Sequence, residues 1–132
     1  MTGVQTCALP ICFPVTIKNG NFEVGSIPTD ITVSNNSFPY CCYNPDSDEI
    51  LATWASNDSP SFPYYATYSN KTKQWSTPTQ LSDIDVTNSS YEDGEAVISS
   101  YAQGTKKIFS AWISNTDNIP YYTIYDTQSK IS

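Results

Sequence analysis

Trp54 and Trp112 stand 58 residues apart, and each opens nearly the same run of residues. Trp54-Ala55-Ser56-Asn57 leads, after five residues, to Pro63-Tyr64-Tyr65-Ala66-Thr67-Tyr68. Trp112-Ile113-Ser114-Asn115 leads, after four, to Pro120-Tyr121-Tyr122-Thr123-Ile124-Tyr125. Seven identities within about fifteen aligned residues are too dense for an accidental echo. Repetition at this spacing restricts the fold to stacked or arrayed units, because one such unit cannot bury its own apolar face.

The flanking segments stay in register. Phe38-Pro39-Tyr40-Cys41-Cys42-Tyr43 falls opposite Ala96-Val97-Ile98-Ser99-Ser100-Tyr101, and both run into turns rich in Asn, Asp, Gly and Pro. Glu49–Trp54 and Lys107–Trp112 follow, apolar or small on both faces, as expected of strands packed between neighbours on either side. Ala52, Thr53, Ser110 and Ala111 are small at mid-strand, which favours close approach of sheets. In the next strand Tyr64, Ala66 and Tyr68 share one face, leaving Tyr65 and Thr67 on the other. A fourth, edge-like strand is expected over 74–81, its proline marking an outer position. The predicted class is all-β: a partial β-propeller of about two four-stranded antiparallel blades plus a remnant of a preceding one. The alternatives are other β-repeats or a β-sandwich. The expected divisions are a preceding-blade remnant at 12–32 with an outer strand near Phe22–Pro28, blade one at 33–90, and blade two, truncated, at 91–132.

Residues 1–11, Met-Thr-Gly-Val-Gln-Thr-Cys-Ala-Leu-Pro-Ile, resemble the conceptual translation of a sequencing-library adapter. They are set aside as a non-native leader. The chain is accordingly expected to be part of a longer protein. With Cys7, and Cys12 at the junction, removed from the count, Cys41 and Cys42 remain. Adjacent strand residues point to opposite faces, so the pair reads as two small buried hydrophobes, with a strained vicinal disulfide as the alternative.

Charge narrows the functions. The 132-residue chain has net charge −7 with neither Arg nor His. Nucleic-acid binding, which requires a basic surface, is disfavoured. There is no imidazole for base catalysis and no guanidinium to grip a carboxylate. No segment is long enough to span a membrane as a helix, and neither a metal site nor a cofactor is read from the residues. The oxygen-rich turn Asn44–Glu49 lacks the glycine and distal glutamate of a calcium loop and reads as a hairpin turn.

The segment Tyr68-Ser69-Asn70-Lys71-Thr72-Lys73-Gln74-Trp75 resembles the third-to-fourth-strand hairpin of sialidase-like propellers, with Ser69 and Trp75 near the ends of their Asp-box. Lys71 and Lys73 stand where that motif has Asp and Gly. The resemblance implies blade architecture and gives Trp75 a packing role. It does not carry over the arginine triad or the Tyr–Glu nucleophile pair of sialidases, so this segment of chain is expected not to be catalytic by itself.

Trp54, Trp112, Trp75, Tyr64, Tyr65, Tyr121 and Tyr122 are read as structural. In a four-stranded blade, the loop after the Trp strand and the blade-to-blade connector share one end. That end would gather Asp58, Asp117, Asp83, Asp85, Glu92, Asp93 and Glu95, with Lys71, Lys73, Lys106, Lys107 and Lys130 at the other. The candidate binding residues are therefore Ser56, Asn57, Asp58, Ser114, Asn115 and Asp117, on an acidic loop face suited to a glycan or protein ligand. The expected setting is a secreted or cell-surface protein. The alternatives are part of a sialidase-like glycoside hydrolase and an architectural repeat of a large adhesin.

Overall fold

The computed structural model describes residues 16–18, 21–23, 37–87 and 95–126, and residues 1–11, expected to be a non-native leader, lie outside them. All regular elements there are strands: β1 (Thr16–Lys18), β2 (Asn21–Glu23), β3 (Ser37–Phe38), β4 (Tyr40–Asn44), β5 (Glu49–Ala55), β6 (Pro63–Ser69), β7 (Gln74–Trp75), β8 (Thr79–Gln80), β9 (Glu95–Ala96), β10 (Ile98–Ala102), β11 (Lys107–Ile113) and β12 (Pro120–Asp126). Among the described residues no helix is long and apolar enough to cross a membrane. Within the segment 12–32, expected as a remnant of a preceding blade, β1 and β2 pair as an antiparallel hairpin. Of the outer strand expected near Phe22–Pro28, Phe22 and Glu23 fall in β2 and the rest lies outside the described residues.

The repeat seen in the sequence is a repeat of structure. One antiparallel sheet runs β4-β5-β6-β7 and a second runs β10-β11-β12. Their registers match residue for residue: Tyr40 faces Thr53 as Ile98 faces Ala111, and Trp54 faces Tyr64 as Trp112 faces Tyr121. Both turns between the first two strands end on a left-handed residue, Asp48 at φ 55° and Lys106 at φ 57°. The equivalent strands β3 and β9 pair with each other in parallel, Ser37 with Glu95 and Phe38 with Ala96.

The fourth strand is broken where one continuous edge was expected. Tyr68 pairs with Trp75 and Ser69 with Gln74, but Tyr65 then pairs with Thr79, so the outer strand carries one extra residue. Pro78 has no N–H to give at that point, and Ser76 fills the gap by accepting at Oγ from Thr67 N at 2.9 Å.

The two sheets pack front to back. One face of the first sheet (Cys42, Leu51 and Tyr65) lies on the opposite face of the second (Tyr101, Ile108 and Tyr125). Ala55 meets Trp112 and Val97 farther along. Small residues let the backbones close in. Thr53 Oγ1 donates to Val97 O at 2.7 Å, is 2.8 Å from Ser99 Oγ, and Ser99 Oγ is 2.8 Å from Ser110 Oγ. Each hydroxyl has one proton, and Thr53 gives its own to Val97. The relay therefore runs Ser110 to Ser99 to Thr53 to the Val97 carbonyl. All three hydroxyl residues are buried, so every bond in the relay answers a group that water cannot reach.

The other face of the first sheet carries Cys41, Ile50, Ala52, Trp54 and Ala66, with Tyr43, Tyr64, Tyr68 and Trp75 packed around them. Cys41 and Cys42 thus go to opposite faces, both buried and neither in a disulfide. Tyr64 and Tyr68 separate from Tyr65 as the strand period requires. β5 is buried on both faces, but β11 alternates: Ile108, Ser110 and Trp112 are buried while Phe109, Ala111 and Ile113 are exposed. Ala111 therefore does not join the close approach expected of it, and Tyr122, expected as a packing residue, is 69 % exposed.

Candidate functional site

The loop after β5 (56–62), the connector after β8 (81–87) and the loop after β11 (114–119) come together at one end of the paired sheets. The connector is laced to both repeats. Leu81 N donates to Pro63 O, Val86 N to Ser61 O at 2.8 Å, and Thr87 N to Ile113 O at 2.7 Å. Val86 is buried with Ala55, Val97 and Trp112. This lacing carries Asp83 and Asp85 to the mouth of the second loop.

Between the three segments lies a cleft of about 310 Å³, lined by residues that include Pro60, Phe62, Asp83, Asp85, Asp117 and Tyr121. Asp85 forms its inner wall. Its carboxylate accepts from Ser114 Oγ at 2.7 Å and from Thr116 Oγ1 at 2.8 Å. Burial pushes the Asp85 carboxyl up, yet these bonds, with those from the Thr116 and Asn115 backbone, more than offset it and hold it below the ordinary value. Asp117 stands at the rim. Tyr121 donates to its Oδ2 at 2.7 Å and Ile119 N to its Oδ1 at 3.0 Å, and these bonds lower its pKa. The same contact raises Tyr121. The cleft therefore presents ionised carboxylates beside an aromatic flank.

The candidate binding residues are placed unequally. Asp117 lines the cleft; Asn57, Asp58 and Asn115 lie exposed in the two loops. Ser56 and Ser114 are buried; Ser56 acts within its own loop, while Ser114 lines the cleft and bonds across to the connector. Ser56 Oγ accepts from Phe62 N at 3.1 Å, and Ser114 Oγ, while donating to Asp85, accepts from Thr116 N at 3.1 Å. Asp85, read from the sequence only as one of several connector carboxylates, is the residue that joins the repeats here. Its position three residues before a strongly polar stretch gave no hint of burial. The pairing signal lies instead in Ser114 and Thr116, whose hydroxyls need an acceptor. Glu92 and Asp93 lie outside the described residues.

The opposite end holds Lys71, Lys73, Lys106 and Lys107 with the strand turns, as expected; Lys130 lies outside the described residues. Asn44 Oδ1 accepts from Asp46 N at 3.0 Å and Asn44 Nδ2 donates to Ser47 Oγ, closing the turn read as a hairpin. Tyr101 donates its hydroxyl to Asp46 of the first repeat. A second cavity, about 470 Å³, lies between β4 and β10, lined by residues that include Cys41, Cys42, Tyr43 and Tyr101. Burial pushes the Cys42 thiol up to about 12, so it is protonated and unreactive at neutral pH. Among the described residues no group of His, Cys, Asp or Glu is arranged to hold a metal ion.

No family model matches the chain, and neither does any curated protein or solved structure at a significant level. All-β architecture with repeated antiparallel sheets is what the structure establishes.

Proposed function

We propose that the two repeats are neighbouring blades of a sialidase-like β-propeller belonging to a secreted or cell-surface protein, and that the cleft at their loop end recognises a glycan. The observation that carries the ligand reading is the cleft itself, built jointly by both repeats. Asp83, Asp85 and Asp117 supply acceptors, and Tyr121, Phe62 and Pro60 supply apolar walls. Ionised carboxylates are acceptors only, and sugar hydroxyls are abundant donors. A cleft of about 310 Å³ is of the size that encloses a small ligand.

The blade reading is supported by the parallel pairing of β3 with β9 and by front-to-back packing. It is also supported by Lys73, which adopts φ 57° where the resembling motif has glycine. Recognition is favoured over hydrolysis by the carboxylates. A glycosidase acid must stay protonated near neutrality, but Asp85 and Asp117 are both shifted down.

The test is a glycan array followed by calorimetric titration of the retained oligosaccharide. Asp83→Asn with Asp117→Asn is expected to weaken binding at least tenfold. Lys71→Gln with Lys73→Gln, at the far end, should leave it unchanged. Retention of no glycan, or equal affinity in the first variant, refutes the reading.

A further inference from the structure

The exposed face of the β10-β11-β12 sheet is the counterpart, position for position, of the face by which the first sheet holds the second. Ile98 stands for Tyr40, Phe109 for Leu51, Ala111 for Thr53 and Ile113 for Ala55, through the shared registers. Tyr122 stands likewise for Tyr65. Leu51, Thr53 and Ala55 are almost fully buried, while Ile98, Phe109, Ile113 and Tyr122 are 51 %, 39 %, 49 % and 69 % exposed. A contiguous apolar patch of this kind on a sheet face marks an interaction surface.

We propose that this face docks a third sheet of the same repeat type, seated as the second repeat seats on the first. The occupant follows from the geometry of the interface already present. That interface is heterologous: the face that receives differs from the face that inserts. Among the described residues the inserting faces of both repeat sheets are taken. Ile50, Ala52 and Trp54 are buried, and Ile108, Ser110 and Trp112 lie on the first sheet. Among its described residues a second copy of this chain has only its own receiving face to offer. The sheet that fits presents a Trp row like Trp112 and an aliphatic residue like Ile108. Ala111 lacks the hydroxyl of Thr53, so a partner seats best with an apolar residue, and less tightly with a serine, where the second repeat has Ser99. The proposal rests on the repeat and not on the ligand of the cleft, so a failed glycan experiment leaves it standing.

The experiment extends the full chain by a second copy of residues 76–132, which continues the repeat in register because the offset between Tyr64 and Tyr121 aligns Ser132 with Trp75 in the sequence. Ile113→Cys is introduced, and maleimide labelling at position 113 is followed by mass spectrometry. Labelling is expected at the rate of an exposed thiol in the 132-residue chain and at least tenfold slower in the extended chain. Phe109→Lys in the extended chain should restore the fast rate. A parallel extended chain carries Ala111→Thr, which recreates the acceptor that Ser99 meets in the existing interface. Docking is refuted if the added repeat folds by circular dichroism while labelling stays fast, or if it folds in neither extended chain. Protection that appears in the unextended chain with a doubled sedimenting mass also overturns it, by making the face a self-association surface.

Discussion

Removing one hydroxyl from the relay between the sheets separates its polar contribution from packing. Thr53→Val keeps the shape of the side chain and deletes the donor to Val97 O and the acceptor for Ser99 Oγ. Two buried groups are then left without partners, the Val97 carbonyl and the Ser99 proton. Tyr40 O, at 3.5 Å from Thr53 Oγ1, is too distant to have shared the bond appreciably. An unsatisfied buried group costs about 1–3 kcal/mol, and burying a methyl in place of a hydroxyl returns about 1 kcal/mol. The net loss is about 3 kcal/mol, a large part of the stability of a small domain. Thr53→Ser keeps the relay and loses only a methyl, about 1 kcal/mol. Urea unfolding followed by circular dichroism measures both. With a slope of about 2 kcal/mol/M, the midpoint should fall by about 1.5 M for Thr53→Val and about 0.5 M for Thr53→Ser. A Val variant as stable as the Ser variant would refute the directed relay.

The two faces of the repeat should respond oppositely to truncation. Leu51→Ala, 1 % exposed between the sheets, is expected to cost about 2–5 kcal/mol. Its counterpart Phe109→Ala, 39 % exposed, should cost less than about 1 kcal/mol by the same urea titration. Acid should loosen the connector. Asp85 has a folded pKa below its ordinary value of 3.8, so its contribution is present above that value and is lost as pH falls through the lower folded one. Melting temperature should drop on acidification below about pH 4, and Asp85→Asn should be less stable at pH 7 while showing a shallower acid slope. An unchanged slope in Asp85→Asn would place the acid sensitivity elsewhere, with Asp48 the next carboxylate held low by its partners.

What could be read in the sequence was what the backbone period governs. The offset between Trp54 and Trp112 located β4, β5 and β6 and their counterparts, because the strand lengths and the length of the first turn repeat with them. Strand alternation separated Tyr64 from Tyr65 and Cys41 from Cys42 without further information. What stayed hidden depended on neighbours in space. Ala111 and Thr53 occupy equivalent positions, yet one is exposed and the other buried, because only one receiving face is covered. Asp85 looks like any connector carboxylate until Ser114 and Thr116 arrive from 29 and 31 residues away. The break in the outer strand turns on one proline, and neither its presence nor its edge position tells where the bulge falls.

The pattern of identity between the repeats now has a physical reading. Trp54 and Trp112 each stack on the tyrosine opposite, Tyr64 at 6.4 Å and Tyr121 at 6.5 Å between ring centroids. Among the described residues their indole N–H groups have no acceptor, so the rings are kept for shape and area and not for a hydrogen bond. Identity is thus retained where each repeat must solve the same packing problem within itself. It lapses where one repeat meets the next: Leu51 becomes Phe109 and Thr53 becomes Ala111. The clasps that fix the pair, Asp46 with Tyr101 at one end and Asp85 with Ser114 and Thr116 at the other, each join unlike positions of the repeat. Substitutions that swap whole Trp-to-Tyr segments between repeats should therefore be tolerated better than swaps of these clasping residues.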